Sequence, residues 1–152
     1  MSLLVKAKSG RTIVEVTPAS ANWKYVGFVA YRLKAGESLT VQVPGCETCT
    51  VVLSGRVTAR TAEHAWTDIG KRESVFDDSA PFAIYAPAPE RVEITAHTDA
   101  EIGVASAPAG TEHEARLIEP GTMKRSVPAG ALATPISASV WAVISTRSGA
   151  GA

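Results

Sequence analysis

The side chains of this chain best suited to chemistry are two cysteines, Cys46 and Cys49, three histidines, His64, His97 and His113, and a dense charged run, Arg72, Glu73, Asp77 and Asp78. Cys46-Glu47-Thr48-Cys49 has the C-x2-C spacing of half a zinc site or of a redox pair. A zinc site needs a second pair of ligands, and the histidines stand far apart, with no matching C-x2-C or H-x3-5-H. A redox pair ordinarily opens a helix that lowers one thiol's pKa, whereas these cysteines lead into a strand-like stretch. Structural or incidental cysteines are the favoured reading, with a zinc or redox role as its alternative. Each histidine reads as a loop or surface residue: His64 in an expected turn over 61–65, His97 at a strand end, His113 between Glu112 and Glu114. None has a Ser or Cys nucleophile visibly placed beside it. The charged run offers an acid and a base for work on a sugar, but such clusters on loops are mostly solvated or locally paired. Arg72 is kept as a candidate contact to a sugar acid, because a guanidinium matches a carboxylate bidentately. Gln42 and Arg91 are further candidates at the mouth of a barrel.

These residues have to be positioned by strands. Short apolar stretches rich in Val, Ile, Thr and Tyr, separated by Gly, Pro, Asp and Ser, fall at 12–16, 24–33, 38–43, 48–53, 56–60, 74–76, 82–86, 91–97 and 101–107. No convincing helix interrupts them. Leu39, Val41 and Val43 alternate with Thr40 and Gln42, and Val92 and Ile94 with Arg91, Glu93 and Thr95, as expected of strands with two different faces. The stretch 24–33 is apolar on both faces, which suits a position between two layers. Many short strands and frequent turns favour an all-β double-sheet jelly roll over an α/β fold. Trp23, Tyr25, Phe28 and Tyr31 are read as inter-sheet or interface packing rather than a sugar-stacking platform.

At 152 residues and 15.9 kDa the chain suits one domain with its own core. Fifteen basic residues balance fifteen acidic ones, and no Lys/Arg stripe is interleaved with aromatics, so neither nucleic acid nor an anionic membrane is an expected partner. The apolar run at residues 3–5 is far short of a signal-peptide core or a membrane span. A cytoplasmic protein with reduced thiols is expected.

Gly36 and Gly55 bracket a strand, a Pro44-Gly45 turn and a second strand, and this stretch resembles the first cupin motif. That motif places two histidines and a glutamate around a metal inside the barrel. Here the histidine positions fall on Gln42 and Pro44, and the glutamate position on Thr48; the histidine of the second motif falls on Val92 within Pro87-Ala88-Pro89-Glu90-Arg91-Val92. Substituted at all four, the barrel is expected to hold no metal, since Pro and Val side chains supply no donor. Alternation alone leaves open whether Gln42 or Val41 faces the lumen.

Further stretches extend the resemblance: Trp23-Lys24-Tyr25-Val26-Gly27-Phe28 leading into Leu33-Lys34-Ala35-Gly36-Glu37-Ser38, then Asp68-Ile69-Gly70-Lys71-Arg72-Glu73-Ser74-Val75-Phe76, then Glu93-Ile94-Thr95-Ala96-His97-Thr98-Asp99-Ala100-Glu101, and later Ala115-Arg116-Leu117-Ile118. Together they resemble the N-terminal half of the 5-deoxy-glucuronate isomerase family, two-cupin enzymes of myo-inositol catabolism. The resemblance implies a cupin domain over 1–127 and an aldose–ketose isomerisation of a sugar acid. It also implies a divalent metal held in a C-terminal cupin that this chain lacks, so no cofactor is expected here. Two alternatives stay open: a stand-alone cupin binding a small sugar acid, and a zinc protein built on Cys46 and Cys49. A half-enzyme exposes the surface its partner cupin would cover, so self-association as a dimer through a sheet edge or face is expected. Residues 128–152 form an Ala/Ser/Pro/Gly-rich tail unlike the family. Read one base earlier, degenerate codons for 128–138 permit an Arg/Gly-rich stretch resembling the family's inter-domain segment, so the tail is taken as an out-of-frame reading. Within it, 141–144 is an apolar anchor or extra strand.

Overall fold

Alternation between turn-forming residues becomes ten strands in the computed structural model, which describes residues 4–109 and 113–123. They are β1 (Thr12–Val16), β2 (Gly27–Leu33), β3 (Ser38–Val41), β4 (Cys46–Ser54), β5 (Val57–Arg60), β6 (Ala65–Ile69), β7 (Ala83–Ala86), β8 (Val92–Ala96), β9 (Ala100–Pro108) and β10 (Arg116–Ile118). One helical turn, α1 (Pro18–Ala21), follows β1. Thr17 Oγ1 accepts from the Ser20 N–H at 3.1 Å while Ser20 Oγ accepts from the Thr17 N–H at 2.9 Å, and Asn22 ends the turn at φ 55°. The tail expected over 128–152, including 141–144, lies outside the described residues.

The strands form two antiparallel sheets, a six-stranded one in the order β1-β2-β9-β4-β7-β10 and a four-stranded one in the order β3-β8-β5-β6. Their inner faces are set by register. In the six-stranded sheet Val29, Val104, Thr50 and Ile84 share one row, and Tyr31, Ile102 and Val52 the next. In the four-stranded sheet Val41 pairs with Val92, Leu39 with Ile94 and Val57 with Ala96. Leu33, Ile84, Ile94, Ile102, Val57 and Val92 are fully buried between the sheets. Each contributes roughly 1.5–3 kcal/mol by leaving water.

Register also separates the two ends of the barrel. At one end the turns after β2, β4 and β8 converge: the Gly36 N–H donates to Ala96 O at 2.8 Å, and the His97 N–H to Arg56 O at 2.8 Å. Gly55 and Gly70 close this end. Both have positive φ, 83° and 112°, and a Cβ on Gly55 would lie 2.4 Å from Asp99 O, one on Gly70 2.2 Å from Gly55 O. At the other end lie the connections after β3, β5 and β7, where the Ala62 N–H donates to Glu90 Oε1 at 2.9 Å.

The structure departs from the expected strands in several places. Residues 74–76 form a braced loop instead of a strand, with the Asp77 carboxylate accepting from the Glu73 and Ser74 N–H groups at 2.7 and 3.2 Å. β6 was not foreseen, since Ala-Trp-Thr-Asp-Ile has no clean period and Asp68 sits at φ 53°. β10 was not foreseen either: it has three residues and, among the described residues, pairs with β7 alone at the edge of the sheet. The stretch 24–33 enters the sheet only from Gly27, leaving Trp23, Tyr25 and Val26 exposed, while Tyr31 packs on the core.

Lys34 Nζ donates to Asp99 Oδ2 at 2.7 Å and the Ala35 N–H to Oδ1 at 3.1 Å, tying the turn after β2 to the turn after β8. The Lys34 side-chain hydrogen bond, then that of the Ala35 backbone, holds the Asp99 carboxyl below its ordinary value. Such a group contributes stability above its unfolded-state pKa and loses it as pH falls through the depressed folded one. Asp99→Asn is therefore expected to melt at a lower temperature near neutrality, with the gap to wild type closing in melts taken down to about pH 2.5.

Candidate functional site

The interior of the barrel is where a cupin-like fold would do chemistry, and β3, β4 and β8 decide what it contains. Because Val41 pairs with Val92 and both are buried, the odd residues of β3 point inward. Thr40 and Gln42 therefore point outward; Gln42 is exposed and donates through Nε2 to Pro89 O at 2.9 Å. Pro44 is exposed as well. Of the motif-derived positions, Thr48 and Val92 lie inside at 3% and 0% exposure, whereas Gln42 and Pro44 lie outside. The motif spacing put Gln42 and Pro44 at ligand positions; the pleat puts Val41 there instead. Valine offers no lone pair, and a neutral hydroxyl is a poor ligand compared with imidazole or carboxylate, so these residues do not fit a divalent metal. Among the described residues no group of three or more His, Cys, Asp or Glu side chains is placed to hold one.

Thr48 and Thr50 are the polar exceptions in this apolar interior. They lie two apart on β4 and share its inward face, opposite Ser106 and Val104 of β9. Both hydroxyls are buried and find no hydrogen-bond partner among the described residues.

The candidate sugar-acid contacts do not converge. Gln42 bonds the Pro89 carbonyl, whereas Arg91 lines a cleft of about 290 Å³ together with Arg60, Ala62, Pro89, Glu90 and Glu93. Arg91 is paired with Glu93 at 2.9 Å, and Glu90 is held by the Ala62 N–H. Arg72 lies at the opposite end, where its carbonyl accepts from the Gly55 N–H at 2.8 Å. Its side chain is 4% exposed and its guanidinium donates to Ser74 O and Val75 O. Burial draws its pKa below the ordinary value, partly offset by Asp77. Arg72 thus braces the 70–81 loop and presents no donor at the cleft. The cation that sequence reasoning missed is Arg60, which faces Glu93 across the outer side of the β5–β8 ladder. Its signal was the polar alternation of Thr58 and Arg60 with Val57 and Ala59.

The cysteines are separated by the pleat. Three apart on one strand, they point to opposite faces, and Cys46 is paired with Pro108, Cys49 with Ala105. Burial, reinforced by the Glu47 carboxylate, pushes the Cys49 thiol up to about 11. A thiol so poorly ionised at neutral pH is a weak nucleophile and a weak metal ligand. The histidines stay apart: His64 stacks on Trp66 with centroids 5.4 Å apart, His97 Nε2 lies 2.6 Å from Thr58 Oγ1, and His113 meets Tyr85 edge-on at 6.3 Å.

Residues 3–134 match the KduI/IolB family. The chain belongs to that family. The 5-deoxy-glucuronate isomerase of Geobacillus thermodenitrificans is 40% identical over 108 residues, which are 71% of this chain and 39% of that protein. The protein of the same name from Bacillus subtilis is 30% identical over 109 residues, 72% of this chain and 40% of that one. An IolB-like protein from Salmonella typhimurium superposes with a TM-score of 0.79 at 35% identity, over 83% of this chain and 48% of that chain. The KduI/IolB chain described here therefore spans about two fifths of the length of the curated relatives it matches. A mutant of Bacillus subtilis oxalate decarboxylase, 17% identical with a TM-score of 0.50 over 72% of this chain and 27% of its own, shares the fold alone. The expected cupin-type jelly roll is thus the fold of this KduI/IolB chain, and the family match runs past Val127.

Replacing an unpartnered buried hydroxyl by a methyl removes a desolvation penalty. Thr50→Val is accordingly expected to gain about 1 kcal/mol in urea unfolding. A loss of similar size would show that the hydroxyl is bonded to something inside the barrel.

Proposed function

We propose that this chain is the N-terminal, metal-free cupin module of a 5-deoxy-glucuronate isomerase-type protein and that it does not turn over substrate alone. The observation that carries the reading is the combination of family membership with an interior lined by Val41, Val92, Ile94 and Ile102 where a cupin enzyme needs donors. Aldose–ketose isomerisation moves a proton between neighbouring carbons while a carbonyl is polarised, which calls for an acid–base group and an electrophile facing one cavity. A hydrocarbon interior with two threonine hydroxyls supplies neither at useful strength. The divalent metal implied by the family resemblance is assigned to the part of the longer relatives that lies beyond the matched residues. In this reading the protein works in the cytoplasm, in inositol catabolism, as a packing partner for a metal-bearing cupin. No helix among the described residues is long and apolar enough to cross a membrane.

A second reading, a stand-alone binder of a small sugar acid, is favoured by the cleft at Arg60 and Arg91, where two guanidiniums flank Glu93. The zinc reading has no such support, since the pleat turns Cys46 and Cys49 apart.

An isomerase assay of the purified chain with added divalent metal and 5-deoxy-glucuronate is expected to stay at background, and clear turnover would overturn the module reading. A thermal-shift screen with uronates is expected to show no stabilisation; a dose-dependent rise abolished by Arg60→Ala would favour the binder.

A further inference from the structure

We draw no further inference here: the strongest candidate, the apolar row that Ala30, Gly103, Val51 and Ala83 make across the outer face of the six-stranded sheet, is narrow and flanked by Arg116 and the Arg32–Glu101 ion pair, and nothing in the structure shows what covers it.

Discussion

The structure depends on one register. Pairing Val41 of β3 with Val92 of β8 commits every odd residue of β3 and every even residue of β8 to the interior. Shifting either strand by a single residue would exchange Val41 for Gln42, or Val92 for Arg91, and carry polar groups into a space that holds Ile84, Ile94 and Ile102 at 0% exposure. Burying an unpaired guanidinium there would cost several kcal/mol, far more than any turn preference supplies. The hydrophobic pattern therefore locks the two sheets together. The same lock removes donor atoms from the place where the fold family would hold a metal.

Around that interior the polar groups do structural work at the two ends. Gly55 and Gly70 let the chain pass close enough to seal one end, and Arg72, buried with its guanidinium on two loop carbonyls, stiffens the segment that leads away from it. At the opposite end hydrogen bonds of Gln42 to Pro89 and of Ala62 to Glu90 tie the connecting loops, next to the cleft that Arg60 and Arg91 line. The outer faces follow from the same alternation: the four-stranded sheet turns Thr40, Glu93, Arg60, Ser38, Thr95 and Thr58 outward, whereas the six-stranded sheet has one apolar row through Ala30, Gly103 and Val51 flanked by rows that carry Arg116 and the Arg32–Glu101 ion pair.

Much of this was legible in the residues. The strands that alternate cleanly, β3 and β8, and the Val/Ile/Thr-rich β4 and β9 were foreseen because period-two patterning is strong in them. Gly55 announced its turn. The family could be seen in Ile69-Gly70-Lys71-Arg72-Glu73-Ser74-Val75-Phe76, although part of that string forms a loop where a strand was expected, since Val75 and Phe76 carry strand-like composition while Asp77 supplies the turn. β6 and β10 were hidden because edge pairing selects them and their own patterning does not. The site was less legible than the fold. Motif spacing counts residues along the chain, whereas the side facing the lumen depends on where β3 stops, and Gln42 lies one residue past that point. Arg72 and Arg91 look alike in sequence, yet one is consumed by its own loop and the other lies on an outer face. Only three-dimensional register separates them.

The central claim is that side chains of Val41, Thr48 and Val92 leave the middle of this barrel without a coordination sphere. Elemental analysis of the purified chain after equilibration with manganese, iron or zinc and exhaustive desalting tests it most directly. Metal content well below one ion per chain, unaffected by Thr48→Ala, is the predicted result. One retained ion per chain that is lost on Thr48→Ala, or that anomalous scattering locates between β3, β4 and β8, would contradict the account.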